Sequence, residues 1–447
     1  MREAWDVIVA GGGVSGCMAA IAAARNGART LLVERYGFLG GTLTNAGVGP
    51  MMTFHAGERQ VVRGIAQEVV DRLTEAGGCL GHIEDTTGYA SSITPFDAET
   101  LKWVLDEMTA EAGCQVLFHT RLCGARVEKG RIAALSLLGK GGKLPVEGRS
   151  FVDATGDADL AFLAGAETVA GRDADALCQP MTLNMKIAGV DVQALKDAVT
   201  REPDNFNIRD LTALDRSPRL ALAGFYRQHR KAKAEGRLST GRADVLMFET
   251  VNPGEFILNA TRVIRLSAVD PWELSQAERE GRKQARELYD FVKREADGFQ
   301  NATLISTGVQ IGVRESRRVM GEYLLTKEDL LASRRFEDTV ALGGYPIDIH
   351  DPAGEKTHTT HLKRGQYYSI PYRTLAAKGI ENLLVSGRCI SVTHEAGAAI
   401  RVTPIAMATG QAAGTAAALC GLGGMAAREV DVSALQALLE KQGAVLK

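Results

Sequence analysis

The strongest constraint on this chain stands at its start. Asp6-Val7-Ile8-Val9-Ala10 is a short apolar run rich in β-branched residues, the pattern of a buried parallel strand. Glycines follow at 11, 12, 13 and 16. An Ala-rich stretch over 14–26 predicts a helix stopped by Gly27, and Ala28 to Val33 predicts a second strand ending at Glu34. In such a G-x-G-x-x-G turn, Gly11 permits the bend, Gly13 lets a pyrophosphate approach the backbone, and Gly16 packs the helix on the sheet. Val14 and Ser15 open a helix whose free N–H groups and positive dipole end suit phosphate. Glu34 falls 18 residues past Gly16, where a carboxylate can hold ribose hydroxyls and disfavours the extra phosphate of NADP. The unit reads as dinucleotide-binding; the alternative is a glycine-rich turn in another α/β protein.

The rest of the composition narrows the partners. With 447 residues, two or three domains of roughly 100–200 residues each are expected. The charge balance, 52 − 54 = −2, lacks the basic excess of a nucleic-acid binder. No apolar run reaches the ~20 residues of a membrane span, and the N-terminus lacks the pattern of a secretory signal. Seven dispersed cysteines without a C-x-x-C pair argue against a disulfide scaffold or a thiolate zinc site, so the cytoplasm is expected.

Thr94-Pro95-Phe96-Asp97 reads as a helix start with Thr94 as N-cap, running to about 112. Residues 115–120 read as a strand. Segments 122–127, 131–138 and 143–150 suggest a β-meander placed before a further strand, Phe151-Val152-Asp153. From 179 to 348 alternating segments mix with polar helices over about 216–234 and 272–297, which suggests a separate substrate domain. The expected boundaries are therefore 1–178, 179–348 and 349–447. Thr326-Lys327-Glu328-Asp329 has the form of a capping box.

Three further segments recur in a fixed order. Arg35-Tyr36-Gly37-Phe38-Leu39-Gly40-Gly41-Thr42 adds a second glycine pair after the acid. The strand at 151–153 ends in Ala154-Thr155-Gly156-Asp157, and Asn382–Val385 ends in Ser386-Gly387-Arg388. Together they resemble flavoproteins of the glutathione-reductase type. Within these, residues 40–44, 314–318, 345–351 and 387–391 are similar to a bacterial FAD-dependent oxidoreductase family, distantly related to fumarate reductase, L-aspartate oxidase and thiazole-forming flavoproteins. The resemblance spans nearly the whole chain. It implies an α/β fold: a Rossmann-like FAD-binding domain with parallel sheet, helices and β-meander, plus an inserted α+β substrate domain. It also implies FAD contacts from Gly11, Gly13, Val14, Ser15, Gly16, Glu34, Arg35, Gly40, Gly41, Thr42, Thr155, Gly156, Asp157, Gly387, Arg388 and Thr403.

Candidates for chemistry follow from this placement. Val402-Thr403-Pro404 opens an apolar helix, with Thr403 as expected N-cap; in related flavoproteins such a helix points at the pyrimidine edge of the flavin. Beside it, Arg401 suits a substrate carboxylate, reduced flavin or an acidic partner. His394 and His55 are candidate proton-transfer residues, weighed against structural roles. In Arg314-Glu315-Ser316-Arg317-Arg318, either Arg314 or Arg317 holds an acidic substrate or Glu315 centres a salt-bridge network at the domain junction. Tyr368 and Arg373 are candidates for the same cleft. His350, His358 and His361 are expected in a loop with Asp348 and Asp351, where the spacing is irregular and no helix or strand fixes it, so no metal is expected.

The leading expectation is an FAD-dependent oxidoreductase moving hydride between a small polar organic substrate and flavin N5, reoxidised by oxygen, a quinone or a protein acceptor. A non-redox synthetic enzyme of the thiazole-forming type, or a flavin subunit of an electron-transfer or RNA-modifying complex, stays open. No nucleic-acid partner is expected, and a homo-oligomer is compatible with the sequence.

Overall fold

Two large sheets and two large hydrophobic cores organise the chain, described for residues 4–354 and 357–447 in a computed structural model. In the first sheet five strands run parallel, in the order Gln115–Leu117, Thr30–Val33, Trp5–Ala10, Gly142–Asp153 and Leu383–Val385. Their inward residues, such as Val7, Ile8, Val9 and Phe151, are fully buried, as a sheet covered on both faces requires.

The strand Gly142–Asp153 serves two surfaces. Its first half pairs antiparallel with Arg131–Gly139, which pairs in turn with Arg121–Glu128; its second half pairs parallel with Trp5–Ala10. The sequence reading split this segment at 150. One twelve-residue strand instead joins the meander to the parallel sheet, running through Pro145 and Gly148 because its pairing passes at Gly148 from Arg131–Gly139 to Trp5–Ala10.

The helix Val14–Arg25 packs against the helix Thr403–Gly423. Close approach is built in: a Cβ at Gly410 would lie 2.1 Å from Ser15 O, and one at Gly414 2.0 Å from Ala19 O. Thr403–Gly423 carries no charge and is apolar all round, so by length and composition it matches a membrane span, contrary to the sequence expectation. In this fold 83% of its most apolar window is buried, which is how a core helix reads.

Two helix starts differ from expectation. Asp97, not Thr94, caps the helix Ala98–Glu111 by accepting from Thr100 N at 2.8 Å, because Thr94 belongs to the short strand Ile93–Thr94. Thr326 and Asp329 form the anticipated capping box. The span 216–234 is broken: Ala221–Gly224 is a strand, and only Tyr226–Ala234 continues as a long helix.

The second sheet is antiparallel, in the order Phe206–Asn207, Ala221–Gly224, Val245–Glu249, Phe256–Leu258, Met185–Ala188 and Thr303–Thr307. The helix Pro271–Glu295, capped by Asp270, lays Ala277, Ala285, Leu288, Phe291 and Val292 into the core beneath it. That core runs from Met181 to Ile311. From Val319 onward, residues pack into the first core, so the insertion closes before the expected position 348.

Candidate active site

A cavity of about 1190 Å³ lies between the carboxyl ends of the parallel strands and the antiparallel sheet. Ligands in open α/β sheets bind at this end of the strands. The phosphate side is built from backbone. Gly11 takes a positive φ of 99°, and its N–H donates to Val33 O at 2.8 Å. A Cβ at Gly16 would sit 1.8 Å from Gly11 O, so Gly16 serves the packing of the turn and not the cavity wall. At Gly13 a Cβ would meet only Gly41 Cα, at 3.7 Å: the space in front of it is open. The second glycine pair lies directly on the first, since Gly40 N donates to Gly12 O at 2.9 Å and a Cβ at Gly41 would lie 2.7 Å from Gly13 Cα.

Two helices begin at this wall. The N-caps of Val14–Arg25 and Thr403–Gly423 are Gly13 and Val402, and neither helix has a side-chain cap. Thr403 thus stands at the first helical position instead of the expected N-cap. Both helix starts leave first-turn N–H groups and dipole ends toward the cavity, which favours negative charge there.

Glu34 is buried and accepts from Gly12 N at 2.7 Å and Tyr36 N at 2.8 Å. Burial raises its pKa, and those backbone donors oppose the shift. Two carboxylate oxygens have further acceptor capacity for ribose hydroxyls. Asp153, fully buried, accepts from Thr155 N, Thr155 Oγ1 and Ala161 N, which fixes the turn carrying Thr155, Gly156 and Asp157 into the wall. Asp157 pairs with Arg388 at 2.7 Å and accepts from Ser316 Oγ at 2.6 Å. Burial acts to raise its pKa, but the Arg388 charge and these bonds outweigh burial and leave it below the usual range. Ser15 Oγ meets Ser386 Oγ at 2.7 Å, tying the first helix to the Gly387 turn.

The opposite side is built from side chains. The strands Ile347–His350 and Thr357–Thr360 form a hairpin, and strand alternation puts Asp348 and His350 on one face. His350 Nε2 lies 3.1 Å from Asp348 Oδ2, and His350 Nδ1 lies 3.2 Å from Thr357 Oγ1. Burial lowers the His350 pKa to about 3 despite Asp348. Burial pushes Asp348 up, but His350, Arg401 and Tyr89 prevail and hold it well below the usual carboxylate range. The sequence reading placed these residues in an irregular loop; the Ile-Asp-Ile-His alternation is the signal that would have found the strand.

Arg314, Arg401, Arg262 and Arg242 line the same side. Asn45 Oδ1 and Asn184 Oδ1 are buried there without a hydrogen-bond partner among the described residues. Arg242, Arg262, Asn45 and Asn184 were not legible, because their segments carry no motif.

The segment 314–318 is divided by residue. Arg314 faces the cavity, while Arg317 holds Asp157 O and Asp159 at the edge of the phosphate side. Glu315 accepts from Gln179 N at 2.9 Å and pairs with both Arg318 and His394 Nδ1. His394 is therefore part of a buried network at the domain junction and does not line the cavity. His55 also lies outside it: His55 Nδ1 meets Ser92 Oγ at 2.9 Å and the ring packs edge-on against His82. Tyr368 is fully buried behind Tyr345, bonded to Tyr345 O and Ala399 O. Arg373 pairs with Asp338 and stacks on Tyr323, away from the cavity.

These residues fit FAD: an open cradle at Gly13, two uncapped helix starts, a buried acid at Glu34 and orphaned acceptors at Asn45 and Asn184. Among solved structures, the myxobacterial chondrochloren halogenase, a variant of the FAD-dependent halogenases, superposes with a TM-score of 0.50 at 16% identity, covering 99% of this chain and 79% of that one. A geranylgeranyl bacteriochlorophyll reductase-like protein from Thermoplasma acidophilum gives 0.47 at 13%, over 99% and 82%. The p-nitrophenol 4-monooxygenase of Pseudomonas putida gives 0.48 at 9%, over 100% and 88%. The likeness to the halogenase is one of fold. The profile of the FAD dependent oxidoreductase family matches residues 6–439, and this chain belongs to that family.

Proposed function

We propose that this oxidoreductase oxidises a small polar organic substrate held between the flavin site and the hairpin 347–360. The observation that carries the reading is that one cavity contains both the dinucleotide cradle and the Asp348–His350 pair. When bound, the flavin supplies the hydride acceptor at N5 and returns its electrons to oxygen, a quinone or a protein acceptor.

The chain's own residues manage position and proton. Asp348 accepts from His350 Nε2, which fixes the tautomer and leaves the Nδ1 lone pair toward Thr357 and the cavity. Neutral at pH 7, the imidazole can take a proton from a substrate hydroxyl or amine through Thr357 Oγ1, and an anionic substrate that offsets the lowering charges of Arg314 and Arg401 would raise its pKa toward the working range. The imidazolium then formed would lie against the Asp348 carboxylate. Arg401 Nη2 lies 3.6 Å from the same oxygen, Asp348 Oδ2, and its charge steadies that carboxylate.

The test is anaerobic mixing of the FAD-loaded protein with hydroxy acids, amino acids, alcohols and sugars, followed by visible absorption. Bleaching by a member of this set supports the reading. A flavin reduced by NADH or NADPH and by none of these would overturn it and move the chain toward the reductase half of a monooxygenase cycle.

A further inference from the structure

The hairpin side of the cavity holds a positive charge that its own acids do not neutralise. Arg314 Nη1 donates to Pro180 O at 2.7 Å and to Thr182 Oγ1, and Nη2 donates to Asn259 Oδ1 at 3.4 Å. All three acceptors are neutral, and among the described residues no carboxylate forms an ion pair with Arg314. Among the described residues Arg401 pairs only with Asp348, at 3.6 Å, and Asp348 is shared with His350 at 3.1 Å. Arg401 Nε is buried without a hydrogen-bond partner among the described residues. Arg242 and Arg262 stand in the same wall, Arg242 engaged by Asp244 at 2.8 Å.

Burial, then the charges of Arg401, Arg242 and Arg262, pull the Arg314 pKa down to about 9, with Asp348 opposing. Half-buried guanidinium groups gathered in one wall repel one another, a cost that a counter-charge relieves. A neutral substrate would leave that cost in place; an anionic one removes it.

We propose that Arg314 and Arg401 form an anion subsite, so that the substrate is a small organic carboxylate. The assignment rests on the substrate oxidation proposed above. Carboxylate is favoured over phosphate monoester because Asp348 lies beside Arg401: a singly charged, planar group matches the free edge of a guanidinium fork, whereas a doubly charged phosphate would press against that carboxylate.

The experiment uses FAD-loaded protein and a probe that cannot react. α-Hydroxyisobutyrate has no hydrogen to lose from its hydroxyl-bearing carbon; its amide is the uncharged isostere, and inorganic phosphate is the competing anion. Binding is read by titration calorimetry, and flavin-to-protein ratio and circular dichroism are recorded on every sample. The expected result is binding of the carboxylate with little or none of the amide or phosphate. Arg314→Met and Arg401→Met should each weaken it by roughly tenfold or more, the scale of a lost charge-assisted hydrogen bond. Arg314→Lys, which keeps the charge, should fall between, and guards against misfolding of the Met variant. Equal binding of carboxylate and amide, tighter binding of phosphate, or unchanged affinity in folded Arg314→Met and Arg401→Met would overturn the subsite. Wild-type protein that binds the carboxylate while its flavin is reduced only by NADH or NADPH would instead overturn the proposed oxidation of that substrate and leave the subsite standing.

Discussion

The two sides of the cavity are made of different material. The phosphate side is backbone: glycine turns, helix starts and one acid whose oxygens accept main-chain N–H groups. The hairpin side is side chain: arginines, an aspartate and a histidine from segments distant in sequence. A backbone site tolerates no added atom yet asks little of electrostatic balance. A side-chain site tolerates changes of shape but depends on each charge. Substitutions on the two sides should therefore fail in different ways.

The largest effect is expected on the backbone side. Gly13→Leu should lower FAD affinity by a factor on the order of a hundred or more, since the side chain fills the space a pyrophosphate needs. The fold should survive, because the new Cβ meets only Gly41 Cα at 3.7 Å. Flavin-to-protein ratio together with far-UV circular dichroism checks both halves. A Gly13→Leu protein with full flavin content would show that the phosphate lies elsewhere.

On the hairpin side His350→Gln should leave flavin content intact and lower turnover of any substrate found by roughly a hundredfold to ten-thousandfold, the range for losing a proton acceptor. The same variant carries a stability signature. Folded His350, with its pKa lowered to about 3 by burial, stays neutral where the unfolded residue, at about 6.5, takes a proton. Between those values the unfolded state binds more protons, so stability falls as the pH drops from about 6.5 toward 3, by at most about 1.4 kcal/mol per pH unit. His82, also lowered by burial to about 4, contributes to both proteins, so the difference between wild type and His350→Gln isolates His350. Urea denaturation at several pH values should show a shallower acid slope in His350→Gln; parallel slopes would place His350 in solvent.

How much of this was legible follows the same division. Glycine spacing, the strand before it and the acid after it are local patterns, and Gly11, Gly13, Glu34, Gly41, Thr155, Gly156 and Gly387 can be read directly along the chain. The arginine wall is not local. Arg242, Arg262, Arg314 and Arg401 meet only because the inserted sheet folds back over the parallel one, and nothing in their own neighbourhoods tells a cavity arginine from a surface one. In Arg314-Glu315-Ser316-Arg317-Arg318 the sequence offers three equivalent cations. The fold gives one to the cavity, one to Asp157 and Asp159, and one to a buried pair with Glu315. The hairpin stood between. Its period-two alternation was present, yet a cluster of histidines and aspartates drew attention to metal spacing instead of strand face.

The smallest expected effects concern the two histidines that sequence position made attractive. His394 follows the Gly387 turn closely, but its Nδ1 is held by Glu315 at 2.9 Å and its ring is buried outside the cavity. His55 follows Met52, which does line the cavity, but turns away onto Ser92 and His82. Neither can reach a ligand in the cavity without moving its element. His55→Ala should change turnover by less than about threefold, as expected for a residue making no differential contact with the transition state. His394→Gln keeps a side-chain donor for Glu315 and should cost about 1 kcal/mol of stability through the altered bond, with turnover within the same factor. Steady-state kinetics and urea denaturation of the two variants, measured beside His350→Gln, put the division to its most sensitive trial. A His394→Gln protein that folds as wild type and yet loses turnover as His350→Gln does would mean that the proton leaves by the domain junction and not by the hairpin.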